Sequence, residues 1–251
     1  MIELCEIDGI ALVRMAHRKA NAMSLEFCDE LIACFEQVRL SPARAMVLTG
    51  QGTIFSAGVD LVRVLEGGKA YVRSFLPALN AMFMAAFSHP KPVIAAVNGH
   101  AIAGGCVLAC ACDRRVAART ESRIGVPELL VGVAFPAVAM EIMRAAAAPE
   151  HFEQLIFDGN TYAPVDALAR GLVNEIVEPQ ELMERAMGTA MTLAKLPPAV
   201  FALSKRQTRQ PALERLERVG SSIDAAAGEI WTAPETLDRI RHYVSRTFKK
   251  V

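Results

Sequence analysis

The chain has 251 residues, 27 basic and 27 acidic side chains, and a formal net charge of +0. That balance, with no long run of like charge, gives neither nucleic acid nor an anionic membrane surface an electrostatic footing as the main partner. Hydrophobic residues make up 53% of the chain, enough for one large core, yet no uninterrupted apolar stretch approaches the roughly 20 residues that cross a bilayer.

Residues Ile2–Ile7 and Ile10–Met15 alternate like strands around Asp8-Gly9 and predict a hairpin. Glu3, Glu6 and Asp8 stand where a signal peptide would be basic and then apolar, so a cytoplasmic protein is expected. Ser24 is a good N-cap for a helix reaching about Val38, with Leu31, Ile32, Phe35 and Val38 on one face. Ala45–Thr49 reads as a short strand ending at Gly50, followed by a loop over 51–60 and a helix over about 69–87. Pro90 and Pro92 close that region before the strand Val93–Val97, and Arg114–Ala118 reads as a further strand. Alternating strands and helices predict an α/β core.

Beyond Pro127-Glu128 the pattern turns mainly helical, with segments near 136–148, 150–157, 164–170, 179–196, 198–209, 211–231 and 234–249 and one short strand at 172–177. Several begin at or near a proline, where a missing N–H costs little. The apolar stripes of this C-terminal third suit either self-association or packing back onto the core.

Cys5, Cys28, Cys34, Cys106, Cys110 and Cys112 lie in apolar contexts and are expected as buried free thiols. The spacing of the last three is not a common zinc pattern, and His17, His89, His100, His151 and His242 are dispersed, so no metal is expected. The most informative stretch is 93–113, VIAAVNGHAIAGGCVLACACD, an apolar run, an Asn98-Gly99 turn and then Gly104-Gly105 opening a new apolar segment. It reads as buried strand, tight loop and helix start. Glycines at a helix N-terminus leave N–H groups unpaired and unshielded, which suits a developing negative charge. The same glycines also suit close packing of helix on strand.

Three separated pieces form one pattern: Phe55-Ser56-Ala57-Gly58-Val59-Asp60-Leu61, Asn98-Gly99 with Gly104-Gly105-Cys106, and Gly125-Val126-Pro127-Glu128 with Gly132. With Asn21-Ala22-Met23 and Arg170-Gly171-Leu172-Val173, their order and spacing resemble the crotonase, or enoyl-CoA hydratase/isomerase, superfamily over nearly the whole chain. The resemblance implies a spiral of β-β-α turns over 1–195, then a helical trimerisation region over 196–251, assembled as a homotrimer or dimer of trimers. It implies an acyl-CoA thioester substrate, no cofactor beyond the CoA carried by that substrate, and an oxyanion hole built from the N–H groups of Val59 and Gly104. It also places Arg18, Ala20, Ala57, Asp60, Leu61, Tyr243 and Arg246 at the CoA.

Hydratases of this superfamily carry two glutamates, at positions that match Val107 and Glu128 here. Adding water is helped by two carboxylates, whereas shifting a double bond needs one base that takes a proton from C2 and returns it at C4. The resemblance therefore favours the Δ3,Δ2-enoyl-CoA isomerases, with Glu128 as the proton shuttle. Hydratase, thioester hydrolase, decarboxylase and racemase chemistry are the enzymatic alternatives on such a fold, and a CoA- or RNA-binding scaffold is the non-catalytic one. Taken alone, Glu128 after a proline reads as an exposed first-turn residue complementing the helix dipole. Its apolar neighbours Val126, Leu129, Leu130 and Val133 predict partial burial and a raised pKa. Phe75, Leu76, Leu79, Phe83, Phe135 and Pro136 are candidates to line an acyl pocket.

Overall fold

The computed structural model describes residues 1–17 and 20–247. The opening hairpin is present as β1 (Ile2–Ile7) antiparallel to β2 (Ile10–Met15). α1 (Leu25–Leu40) follows, its first turn capped by Ser24 Oγ, which accepts the Phe27 N–H at 3.3 Å. Leu31, Phe35 and Val38 face the core from it, with Ile32 at its margin.

Three passages then repeat one plan of buried strand, corner, short strand and helix. The first is β3 (Ala45–Thr49), β4 (Ile54–Ser56) and α2 (Leu61–Phe87). The second is β5 (Val93–Val97), β6 (His100–Ile102) and α3 (Gly104–Ala111). The third is β7 (Arg114–Ala118), β8 (Ile124–Gly125) and α4 (Glu128–Val131). After these come α5 (Ala137–Ala146), α6 (Phe152–Asp158), β9 (Thr161–Tyr162), α7 (Pro164–Ala169), β10 (Glu175–Val177), α8 (Leu182–Ala194), α9 (Pro198–Thr232) and α10 (Pro234–Thr247).

The long strands build a six-stranded sheet in the order β1-β2-β3-β5-β7-β10, parallel after the hairpin. The short ones build a second sheet, β4-β6-β8-β9. Each passage thus advances both sheets by one strand, which is the expected spiral. Its corners stack tightly: a Cβ on Gly99 would stand 1.7 Å from Thr53 O, so the corner after β5 can cross the corner after β3 only with glycine there. The Asn98 side chain laces the same corners, accepting the Gly50 N–H and donating to Gly52 O, both at 2.9 Å.

Both faces of the large sheet are covered, which explains why its strands read as continuous apolar runs. Met46 and Leu48 face the main core, whereas Ala45, Val47, Ile94 and Ala96 pack under Ala186 and Ala190 of α8. Five of the six cysteines are buried free thiols; Cys5, on the edge strand β1, is exposed, contrary to expectation.

Besides the short strands of the second sheet, three elements depart from the sequence reading. α2 begins at Leu61 rather than near 69, because the Asp60 carboxylate caps it by accepting the Arg63 N–H, and Gly68 (φ 55) breaks it where the second, predicted segment starts. The strand expected over 172–177 is confined to Glu175–Val177, since Leu172 N–H turns back to Ala167 O at 2.9 Å to finish α7. The two helices expected on either side of Gln210 are one, α9, with Pro211 inside it. An interior proline costs about 3 kcal/mol or more; tertiary packing overrides it, because Ala212, Ala227 and Trp231 beyond Pro211 enter the main core and Lys205 before it is buried too.

α9 is also held by charge. Asp113, just before β7, accepts hydrogen bonds from Val93 N–H, Lys205 Nζ and Arg209 Nη2, each at 2.8 Å, and the Arg209 guanidinium lies 4.2 Å from the Phe87 ring centroid. Burial presses the Lys205 ammonium down to about 8 even with Asp113 beside it, so the carboxylate is what keeps two desolvated cations tolerable. Asp113→Ala is expected to destabilise the fold by about 3–5 kcal/mol, read as a lowered urea midpoint at unchanged slope.

Candidate active site

Two stretches far apart in sequence are stitched side by side next to β4. Asn21 Nδ2 donates to Phe55 O at 3.0 Å, Ser56 Oγ donates to Asn21 O at 2.8 Å, and Ala57 N–H donates to Ala20 O at 3.0 Å. Met23 and Val59 then pair as a parallel bridge: Met23 N–H reaches Gly58 O at 2.8 Å, and Asp60 N–H reaches Met23 O at 2.9 Å. In extended backbone successive amides point to opposite sides. With Gly58 O and Asp60 N–H committed to Met23, the Val59 N–H therefore faces away from it.

On that side lies the start of α3. The first turn of any helix has N–H groups without intrahelical partners, and the residue before it, Ala103, offers no side-chain cap. Among the described residues neither the Val59 nor the Gly104 N–H has an acceptor. Ala103 is held at φ 52, ψ −127, a left-handed conformation costing an alanine on the order of 1–3 kcal/mol. Gly58 lies against this turn at φ 82, and a Cβ there would stand 2.7 Å from Ile102 O and 2.9 Å from Gly104 N. The two main chains can approach only because that Cβ is absent.

Val59 and Gly104 line a cavity of ≈ 70 Å³ together with Glu128, Val107, Leu79, Phe83, Phe135, Pro136, Trp231 and Tyr243. Glu128 opens α4 and is 8% exposed, and its Oε2 has no hydrogen-bond partner among the described residues. Burial pushes its carboxyl up to about 8, against a weaker opposing hydrogen bond from its own backbone N–H. Val107, fully buried on α3, brings an apolar side chain to the same cavity. Two free N–H donors and one proton-holding carboxyl in a largely apolar cavity can stabilise an oxyanion and move a proton beside it.

A family profile described as enoyl-CoA hydratase/isomerase matches residues 6–227. The chain belongs to the enoyl-CoA hydratase/isomerase family. A putative enoyl-CoA hydratase of Thermus thermophilus is 36% identical over 191 residues, covering 74% of this chain and 75% of that protein. The mitochondrial enoyl-CoA delta isomerase 1 of Rattus norvegicus is 27% identical over 211 residues, 83% of this chain and 73% of that one. Human mitochondrial delta3-delta2-enoyl-CoA isomerase superposes with a TM-score of 0.94 at 22% identity, covering 99% of this chain and 98% of that one, which establishes the crotonase fold. The family's members thus carry both hydratase and isomerase names.

Of the residues that the family pattern singles out, Val59, Gly104, Glu128, Ala57, Leu61 and Tyr243 converge on the cavity. Ala20 sits beside it, bonded to Ala57, whereas the Asp60 carboxylate is turned into the α2 cap. Arg246 is exposed and lines a neighbouring hollow of ≈ 420 Å³ with Arg239, His242 and Tyr243. Arg18, Lys249 and Lys250 lie outside the described residues. Of the acyl-pocket candidates, Leu79, Phe83, Phe135 and Pro136 line the cavity; Phe75 and Leu76 do not. Of the neighbours that suggest burial of Glu128, Val126 and Val133 are buried and Val133 lines the cavity, whereas Leu129 and Leu130 are 41% and 64% exposed. Trp231, Ala103 and Ala139 were not singled out by sequence; each reaches the cavity from an element whose local pattern reads as ordinary helix or turn.

A folded-state pKa of about 8 against an ordinary value of 4.5 means that the folded chain binds the Glu128 proton more tightly than the unfolded one does. The stability this contributes is complete below about 4.5 and is lost as pH rises through about 8. Glu128→Gln is therefore expected to gain stability relative to wild type steadily across that interval and to hold a constant advantage above it, in urea titrations of both proteins. Parallel stability curves would contradict a buried, proton-holding Glu128.

Proposed function

We propose that this chain converts 3-enoyl-CoA to 2-enoyl-CoA, with Glu128 as the shuttle and the Val59 and Gly104 N–H groups holding the thioester oxygen. The Glu128 carboxylate takes a proton from C2, and the electron pair runs onto the thioester oxygen to give an enolate. The same carboxyl then protonates C4, and the electrons return to form the C2=C3 bond. No water is consumed. Each N–H is expected to supply on the order of 3 kcal/mol of transition-state stabilisation.

The observation that carries this reading is the single carboxyl: among the described residues lining the cavity, Glu128 is the one acidic side chain, and the position matching the hydratases' other glutamate is Val107. Hydration would need a second group to activate water, and Val107 cannot be that group. For the CoA, we assign Ala20, Ala57, Asp60 and Leu61 to one bank and Tyr243 and Arg246 to the other, with Arg18 as a further contact. Tyr243 joins the cavity to the basic hollow lined by Arg239, His242 and Arg246, which suits phosphate charge. Exposed Val200 and Leu203 at the start of α9, with exposed Leu196 just before it, suit burial against a second copy in a homotrimer or dimer of trimers.

3-Enoyl-CoA deuterated at C2 is expected to yield conjugated 2-enoyl-CoA with label carried to C4, and Glu128→Gln to lower the rate roughly 10²- to 10⁴-fold. Because the reaction starts from the carboxylate, kcat/KM should rise with pH and level off above about 8. Hydroxyacyl-CoA as product would mean a hydratase, and free CoA a hydrolase.

A further inference from the structure

The cavity that holds the two N–H groups and Glu128 has a volume of ≈ 70 Å³. An apolar cavity of about 150 Å³ admits one benzene, or roughly 25 Å³ for each carbon. On that scale ≈ 70 Å³ takes about three carbons. With the thioester oxygen on the N–H groups, part of that space goes to the carbonyl itself, so the cavity as it stands takes only the first few carbons of an acyl chain.

The wall is built to stay where it is. Phe83 comes from α2, Phe135 from the segment before α5 and Trp231 from the end of α9, and all three rings are buried. Trp231 is also tied down: its Nε1–H donates to Ala134 O at 2.8 Å, so α9 pins the segment that carries Val133, Phe135 and Pro136 into the cavity. That segment is anchored again three residues on, where the Ala137 N–H donates to the Asp224 carboxylate of α9 at 2.8 Å. Toward this wall a longer acyl chain would have to move a ring or break this attachment. Resting on the enoyl-CoA reading above, we propose that the chain is restricted to short acyl groups and that Trp231 bonded to Ala134 sets the limit.

Trp231 is the sole tryptophan in the sequence, so its emission reports on this wall. Butyryl-, hexanoyl- and octanoyl-CoA, which are saturated and cannot undergo the double-bond shift, are titrated against the wild-type protein by calorimetry and fluorescence. Affinity is expected to fall by roughly tenfold from butyryl- to hexanoyl-CoA and further to octanoyl-CoA, with butyryl-CoA perturbing the Trp231 emission. Trp231→Leu, or Phe135→Leu as the milder change in the same wall, should flatten or reverse the series when read by calorimetry. Affinity that is constant or rising with length in the wild type would overturn the proposal, and an unchanged series in both folded variants would remove the limit from this wall. Failure of the isomerase reading shows separately: falling affinity with length, but no double-bond shift in 3-butenoyl-CoA, leaves the size limit standing and removes the reaction.

Discussion

Two main chains from different turns of the spiral must pass within van der Waals contact for this site to exist. The contact is between Gly58, after β4, and the Ile102-Ala103-Gly104 turn, after β6. β4 and β6 are neighbouring strands of the smaller sheet, so the spiral delivers the two turns side by side, and glycine at 58 lets them close. Closing them aims two amides, each turned outward by a different local device, at one point. Val59 is turned by its pairing with Met23, Gly104 by opening a helix. The helix start requires the strained backbone of Ala103, and the strain is offset by α3, all eight of whose residues are buried. A fixed turn of this kind matters because a backbone donor stabilises charge well only if it needs no reorganisation when the charge appears.

The same burial sets the protonation of Glu128. A water-poor cavity strengthens the two N–H donors, since their interaction with an oxyanion is less screened. It also favours the neutral carboxyl, which is why Glu128 is lifted so far above its ordinary range. Val107 keeps these effects in balance: a second carboxylate in its place would add like-charge repulsion and lift Glu128 further. One carboxyl at about 8 is still deprotonated often enough near neutrality to act as a base, and once protonated it is a willing donor. The apolar residue at 107 and the raised glutamate at 128 belong to one design.

Much of this could be read from the sequence where the cause was local. The β1–β2 hairpin, the Ser24 cap, the strands at 45, 93 and 114 and the glycine-opened α3 each follow from a pattern a few residues long. The smaller sheet did not appear in that reading because its strands run to two or three residues, too short to show a period, and are held by corners such as Asn98 bonded across to Gly50. Pro211 suggested a break that packing overrode. Glu128 illustrates the division best: of the neighbours that suggested its burial, Val126 and Val133 are buried but Leu129 and Leu130 are exposed, and the cavity it lines is walled from α2, α3, α5 and α9 as well. The family resemblance supplied the residue, and the fold supplied the reason for its chemistry.

Trp231 was invisible to sequence reasoning for a related reason: its function is a consequence of where α9 is fastened. That helix, 35 residues and about 52 Å long, is held near its start by the Asp113 clasp with Lys205 and Arg209. Midway it is held by Arg215, whose guanidinium meets Glu141 of α5 at 2.7 Å. Toward its end, Asp224 accepts the Ala137 N–H and an Asn80 amide hydrogen bond. Trp231 lies one residue from the end of a rod fastened at three places, so its ring is positioned by contacts spread over the whole core. A wall fixed this way cannot be relaxed by a small change at the site alone. On the proposed short-acyl reading, substrate size in this chain is coupled to global stability, and the charges that hold α9 to the spiral are, at a distance, part of what shapes the cavity.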